Sequence, residues 1–221
     1  MGGLTEEQSD SLREVLNNGA TLLDLINNLF DMAKVEAGKM TLEIEPFDLS
    51  DLLHRLTQTI ASLIHKKGHE LKLNIPEEIP PIKADEKKVQ HILLNLLSNA
   101  IKFTPEGGHI EVGLKHYPSA ELQTNAPWIS KILHKEHFSN GAFELTVKDN
   151  GIGIKPENVS KVFEMFSQGD GSVTRVHGGT GLGLTLAKQF VELQKGVIWL
   201  ETTSGKGTKF TVVLPAVVVE H

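Results

Sequence analysis

Between residues 4 and 37 apolar side chains recur every seven positions in three adjacent rows, and no proline interrupts them. Leu12, Gly19, Ile26 and Ala33 form one row, Leu16, Leu23 and Phe30 a second, and Val15, Leu22 and Leu29 a third. A seven-residue repeat belongs to a helix, and three neighbouring rows make an apolar face wider than a lone surface helix needs. The pattern predicts one long helix built for a bundle, with its partners elsewhere and Gly38 as its C-terminal cap. The polar turn Glu36-Ala37-Gly38-Lys39 sets that helix apart from the rest of the chain. Residues 1–39 are therefore read as one unit, 40–217 as a second and 218–221 as a tail.

From residue 40 the period changes to that of a mixed α/β domain. Strands are expected over 40–44, 69–75, 110–116 and 143–148, with a closing hairpin of 196–202 and 208–214. Helices are expected over 49–67, capped by Asp48 or Ser50, over 85–104, over 156–166 and over 182–195. Pro105-Glu106-Gly107-Gly108 stops the second of these. Residues 76–81 read as a proline-rich loop. Residues 117–141 read as an insertion with a short helix around 128–133, either a partner surface or a tolerated loop, with the loop preferred.

Composition removes several classes of function. The 221 residues carry 22 basic and 28 acidic side chains, a net charge of −6, so a basic stripe for nucleic acid is not expected. There is no cysteine, which excludes disulfides, thiolate metal sites and cysteine nucleophiles and fits a reducing cytoplasm. No apolar run approaches the ~20 residues of a membrane span, and Met1-Gly2-Gly3-Leu4-Thr5-Glu6 lacks the pattern of a signal peptide. A cytoplasmic location without direct membrane contact is expected for this chain, whether or not the intact protein is membrane-anchored.

The common phosphate loops are also absent. Gly205-Lys206-Gly207-Thr208 lacks the spacing of a Walker loop, and Pro156 occupies the third glycine position of a dinucleotide fingerprint begun at Gly151. The ten histidines are scattered and form no His-Glu-x-x-His pair.

Four separated segments remain. In Asn95-Leu96-Leu97-Ser98-Asn99-Ala100-Ile101-Lys102-Phe103-Thr104, Asn95, Asn99 and Lys102 share one helix face, while Val89, Leu93, Leu97 and Ala100 lie towards the other. Amide oxygens suit a hard cation and the lysine suits phosphate. In Asp149-Asn150-Gly151-Ile152-Gly153-Ile154 a carboxylate at a strand end can accept from an exocyclic amine, and glycines let backbone approach a flat base. Gly178-Gly179-Thr180-Gly181-Leu182-Gly183-Leu184 opens a helix with exposed amides, an anion seat, with Arg175 and His177 just upstream. In Gly205-Lys206-Gly207-Thr208-Lys209-Phe210 the Thr208 hydroxyl can bridge to a base, directly or through water.

In combination and order these segments resemble the ATP-binding domain of sensor histidine kinases, over about residues 40–215. That domain belongs to the superfamily shared with DNA gyrase, the MutL mismatch-repair proteins and the heat-shock chaperone ATPases. Residues 95–104 look like the family's N box, 149–154 its G1 box, 162–166 its F box and 179–184 its G2 box. The resemblance implies a Bergerat-fold two-layer α/β sandwich with a mixed sheet, preceded here by the long N-terminal bundle helix. It implies that Asp149 reads the adenine amino group, that Asn99 holds Mg²⁺ with Asn95 assisting, that Lys102 meets the phosphates, and that Phe103 packs near the base. ATP would further touch Gly151, Gly153, Ile154, Phe166, Arg175, Gly179, Thr180, Gly181, Leu182, Gly183 and Thr208. Residues 165–179 would form a mobile lid.

Hydrolysing members of the superfamily carry glutamate four residues before the metal asparagine, where it can deprotonate water. Here that position is Asn95, which has no useful basicity. The resemblance thus implies a protein-histidine kinase that holds ATP for transfer; the alternatives are a non-catalytic nucleotide-binding signalling module and, further off, a chaperone- or topoisomerase-like ATPase. Residues 4–39 resemble the second helix of the family's dimerisation and phosphotransfer hairpin. No phosphoacceptor histidine is assigned, because the first helix of that hairpin does not precede Leu4. His69-Glu70-Leu71-Lys72 imitates the acceptor motif, but its alternation places His69 on a strand, as a surface residue. The chain then reads as a piece of a longer protein, expected to dimerise through residues 12–33 and to serve the receiver domain of a response regulator.

Overall fold

The computed structural model describes residues 5–132, 134–165 and 181–216. By its internal contacts the chain divides into two compact units, residues 1–41 and 42–221.

The first unit is a single helix, α1 (Glu6–Glu36). Thr5 caps it: its hydroxyl accepts from the Gln8 amide while the Gln8 side chain accepts from the Thr5 amide, a reciprocal capping box. At the far end Ala37 is the cap residue, and Gly38, at φ +63°, takes the left-handed turn that releases the chain. The heptad rows face outward. Leu12, Val15, Leu16, Leu22, Leu23, Ile26, Leu29 and Phe30 are all 42–71% exposed.

In chain order the second unit contains β1 (Glu45–Phe47), α2 (Leu49–Lys66), β2 (Glu70–Asn74), β3 (Ile82–Ala84), α3 (Glu86–Phe103), β4 (His109–Pro118), α4 (Leu122–Asn125), β5 (Gly141–Asp149), α5 (Pro156–Val159), α6 (Gly183–Leu193), β6 (Val197–Thr203) and β7 (Gly207–Pro215). Strands β2-β4-β5-β7-β6 form one mixed sheet, parallel between β2 and β4 and antiparallel elsewhere. β1 and β3 make a separate two-stranded ribbon.

Strand alternation sends successive side chains to opposite sheet faces. Val112, Leu114, Phe143, Leu145, Val147, Val212 and Leu214 share one face by their register and are buried with the apolar stripes of α2, α3 and α6. This is a two-layer α/β sandwich. Two acidic caps anchor the helix layer. Asp48 accepts from the amides of Ser50 and Asp51 at the start of α2. Asp85, itself buried, accepts from Lys88 at the start of α3 and from the amide of Glu43, while its own amide donates to Gln194 at the end of α6. Asp85 thus caps α3 and ties it to two other segments.

The opposite face carries a second, smaller core. Strands β4 and β5 extend through Pro118 and from Gly141, so the insertion is shorter than expected, 119–140. It winds through α4 and three 3-10 turns: Ser119–Glu121, Ile129–Lys131 and Lys135–Phe138. Its buried Leu122, Trp128, Ile129 and Phe138 pack with Tyr117, Ala142 and Val213 of the sheet. Rather than hanging as a loop, the insertion covers one end of the sheet's outer face.

Other sequence expectations need correction. Residues 40–44 form no strand. β1 starts at Glu45 because its partner β3 offers only three residues, and β3 itself is hidden in the sequence behind Pro80-Pro81. Among the described residues of the expected 156–166 helix, only Pro156–Val159 is α-helical; past it, Lys161, Val162 and Glu164 donate to carbonyls three residues back, closing tight turns instead of α-helical rings. His69 is buried, not a surface residue, and precedes β2. Pairing of β2 with β4 carries its ring beneath the end of α3, where Nε2 lies 3.2 Å from the Thr104 carbonyl and 3.1 Å from that of Pro105.

Candidate functional site

α3 supplies the first component. Its apolar positions Val89, Ile92, Leu93, Leu96, Leu97 and Ala100 are buried, which leaves Asn95, Asn99, Lys102 and Phe103 half-buried along another flank. The Asn95 Nδ2 donates back to the His91 carbonyl at 3.1 Å. Its Oδ1 lies so close to Gly183, at the start of α6, that a Cβ there would collide with it. Lys102 reaches over the ring of Phe103, with Nζ 4.9 Å from the ring centre. Burial lowers the pKa of Lys102, since a desolvated ammonium is disfavoured.

Asp149, the last residue of β5, supplies the second. Although it is 8% exposed, its Oδ1 accepts from the Gly151 amide at 2.8 Å and the Thr208 amide at 3.3 Å. Burial raises its pKa; the two amides, which favour the charged form, pull the other way and do not outweigh burial. Gly151 lies against the Phe103 carbonyl, where any Cβ would clash, and the amide of Ile152 donates to the same carbonyl at 3.2 Å. The loop that holds Asp149 is therefore seated on the last turn of α3.

The remaining positions stiffen this seat. Gly153 faces the backbone of Thr203 and Ser204. The Ile154 amide donates to the Thr202 hydroxyl at 2.9 Å; that hydroxyl donates to the Gly207 carbonyl and lies 3.1 Å from the hydroxyl of buried Thr208. Asn150 accepts from the His109 amide at 2.7 Å, fastening the loop to β4. Phe163 packs edge-on against Phe210, with ring centres 6.4 Å apart. Gly181 adopts φ +69° and Leu182 is buried at the head of α6. Phe166, Arg175, Gly179 and Thr180, and the lid after residue 165, lie outside the described residues.

Two glycines thus mark where the start of α6 and the Asp149 loop meet one helix. Gly183 meets α3 at Asn95 and Gly151 meets it at Phe103, eight residues or roughly 12 Å apart at 1.5 Å per residue. Asn99 lies midway and Lys102 at the Asp149 end. Thr202 was missed in the sequence because its contact with Ile154 joins residues 48 apart. The contacts of Lys67 and His69 were missed for the same reason: Lys67 takes carbonyls of the last turn of α3 and His69 faces the two carbonyls just past it, some 34–36 residues away. Among the described residues no three His, Asp or Glu side chains converge on a metal position, and no helix is long and apolar enough to cross a membrane.

This sandwich, with a buried strand-end carboxylate seated on an asparagine-bearing helix, has known counterparts. Residues 84–218 match the family of histidine kinase-, DNA gyrase B- and HSP90-like ATPases, and the chain belongs to that family. Within it, several of the similar proteins are named histidine kinases. The chain is 37% identical over 219 residues to the circadian input-output histidine kinase CikA of Synechococcus elongatus, covering 97% of this chain and 26% of that one. It is 35% identical over 210 residues to the signal transduction histidine-protein kinase BarA of Escherichia coli, covering 94% and 21%. The chain therefore spans about a quarter or less of these curated relatives. Among solved structures, full-length ShkA in complex with AMPPNP superposes with a TM-score of 0.75 at 26% identity, covering 99% of this chain and 41% of that one. The histidine kinase AdeS of Acinetobacter baumannii shares the fold, with a TM-score of 0.69 at 19% identity over 97% of this chain and 87% of its own.

Proposed function

We propose that this chain is the ATP-binding catalytic part of a sensor histidine kinase, which transfers the γ-phosphoryl group of ATP to a histidine on a hairpin helix and thence to a response regulator's receiver domain. The observation that carries the proposal is Asp149: a buried carboxylate with Oδ1 held by two backbone amides, beside a glycine with no room for a side chain. Oδ2 is then the acceptor for the adenine amino group. Gly151, Gly153, Ile154, Phe103 and Thr208 shape the base end, while Asn99, Lys102 and the residues opening α6 serve the phosphates. Phe166, Arg175, Gly179 and Thr180 are assigned to the same site on the family resemblance.

Asn99, with Asn95 beside it on α3, fits an oxygen-ligated Mg²⁺ completed by phosphate oxygens. When bound, that ion neutralises charge on the transferring group. The protein's part is to bind the base, orient the triphosphate and place Lys102 against it. With Asn95 where hydrolysing relatives carry glutamate, no side chain there deprotonates water, and the acceptor imidazole is the nucleophile: its nitrogen bonds to the γ-phosphorus as the bond to ADP breaks.

The exposed rows of α1 fit pairing with a second copy through residues 12–33. Each fully buried Leu, Ile or Phe is worth about 1.5–3 kcal/mol, so eight half-exposed side chains leave a gain on the order of 5–10 kcal/mol to association. A cytoplasmic setting belongs to the same reading. The test is phosphotransfer in trans. With Mg²⁺ and γ-labelled ATP, the chain is expected to label a supplied acceptor hairpin on histidine. ATP binding without any label on the matching hairpin would instead mark a non-catalytic nucleotide module.

A further inference from the structure

An α-helix leaves its last four carbonyls without intrahelical partners. In α3 every one of them is engaged: Ala100 by the Thr104 amide at 3.0 Å, Ile101 and Lys102 by the ammonium of Lys67 at 2.8 and 3.3 Å, and Phe103 by the Ile152 amide at 3.2 Å. The next two carbonyls, of Thr104 and Pro105, face His69 Nε2, which must therefore carry a proton and donate. Lys67 is the cap of α2, and its own carbonyl accepts from the Gly107 amide at 3.1 Å, so the α2–β2 turn and the α3–β4 turn are locked to each other.

The donors divide the end of α3 in two. The Asp149 loop holds Phe103 through a backbone amide. The turn before β2 holds the backbone of Lys102 through the half-buried side chain of Lys67. We propose that Lys67, backed by His69, is a positioning residue for Lys102: it fixes the last turn of α3, so that the Lys102 ammonium, rooted at the Asp149 end of the helix, is held where it can meet the triphosphate. A charge-assisted bond to a helix C-terminal carbonyl is stronger than a neutral one and is favoured by the helix dipole. Removing it frees the backbone at 101 and 102, while Asp149 keeps its amides from Gly151 and Thr208 and Phe103 keeps Ile152. The inference rests on the nucleotide reading of the site and predicts a split: the hold of Lys102 on the triphosphate loosens, while the Asp149 seat for the base does not.

The test compares ATP with Mg²⁺, by calorimetry, against adenosine, by ligand-observed NMR, on the whole chain. Lys67→Met is expected to weaken ATP about tenfold and leave adenosine affinity unchanged, with Lys67→Arg restoring most of the loss. Should Lys67→Met fail to fold, Lys67→Gln carries the same expectation at smaller amplitude, because it keeps a donor without the charge. Unchanged ATP affinity, or equal weakening of ATP and adenosine, overturns the positioning role. Asp149→Asn separates the two ideas. If it abolishes binding of both ligands while Lys67→Met changes nothing, only the clamp is wrong; if it also changes nothing, the nucleotide reading itself is wrong.

Discussion

Strand β5 carries two buried carboxylates, Glu144 at 7% exposure and Asp149 at 8%. They stand on opposite sheet faces and differ in what surrounds them. Glu144 points into the small outer core, where its Oε2 accepts from Trp128 Nε1 at 2.6 Å and from the Tyr117 hydroxyl at 3.4 Å. Burial, with the Glu144 charge beside it, pushes the Tyr117 pKa up to about 12, so the phenol remains a proton donor throughout the neutral range. Trp128 in turn meets Tyr117 and Phe138 edge-on, with ring centres 5.7 and 5.8 Å away. Side chains fill that volume and use the carboxylate to hold themselves together.

Asp149 is held by backbone amides, and Gly151 and Gly207 lie so close to it that a Cβ on either would collide with it. Equal burial therefore serves two ends. An acid satisfied by aromatic side chains staples an insertion to the sheet. An acid satisfied by main chain, with glycine next to it, has its other oxygen left for the adenine that we propose it reads.

The sharpest way to break this contrast is to fill the glycine space. Gly151→Ala places a Cβ against the Phe103 carbonyl and is expected to weaken ATP by about 100-fold or more, the scale of losing a charge-assisted contact and its seat together. Calorimetry on a variant whose fold is verified by circular dichroism checks it. Trp128→Phe probes the other acid. It keeps an aromatic ring but removes the N–H and part of the indole, and should cost about 2–4 kcal/mol of stability from the lost bond and the void together, lowering Tm by about 2–4 °C per kcal/mol, while ATP affinity stays as it was. A fall in affinity would mean that the outer core shapes the site.

The smallest effect is in pH. Burial raises the Asp149 pKa above that of an ordinary carboxylate, so ATP affinity should begin to fall at a higher pH than a free aspartate would impose, as the charged acceptor is lost. The linked stability runs in the opposite sense. The folded state holds this proton more tightly than the unfolded chain, so the group's contribution is full in acid and is lost as pH rises through the raised value. Affinity and Tm measured on one pH series, with Asp149→Asn as the control lacking both trends, check the two signs.

Much of this was legible in the sequence because it is local. The 3.6-residue period of α3 and its stop at Pro105 gave the helix, and spacing alone put Asn95, Asn99 and Lys102 on one flank. The order of the glycine and asparagine segments indicated the fold. What could not be read there depends on contacts across the chain. The insertion has no periodicity because it is built from one turn of α-helix and three 3-10 turns, so the bond from Trp128 to Glu144 had no local signal. His69 alternates like a surface strand residue, yet the parallel pairing of β2 with β4 buries it under α3. Lys67 looks like one more basic residue at the end of α2; only the turn that brings it to Ile101 gives it a task.

Whether Asp149 reads the base is decided by a calorimetric titration of ATP with Mg²⁺ into the wild-type chain and into Asp149→Asn. The amide is nearly the same size, keeps an oxygen for the Gly151 and Thr208 amides, and removes the charged acceptor, so a folded variant with affinity lowered about 10–100-fold is the expected result. A folded Asp149→Asn that binds ATP as tightly as the wild type would contradict that role and the nucleotide site built on it.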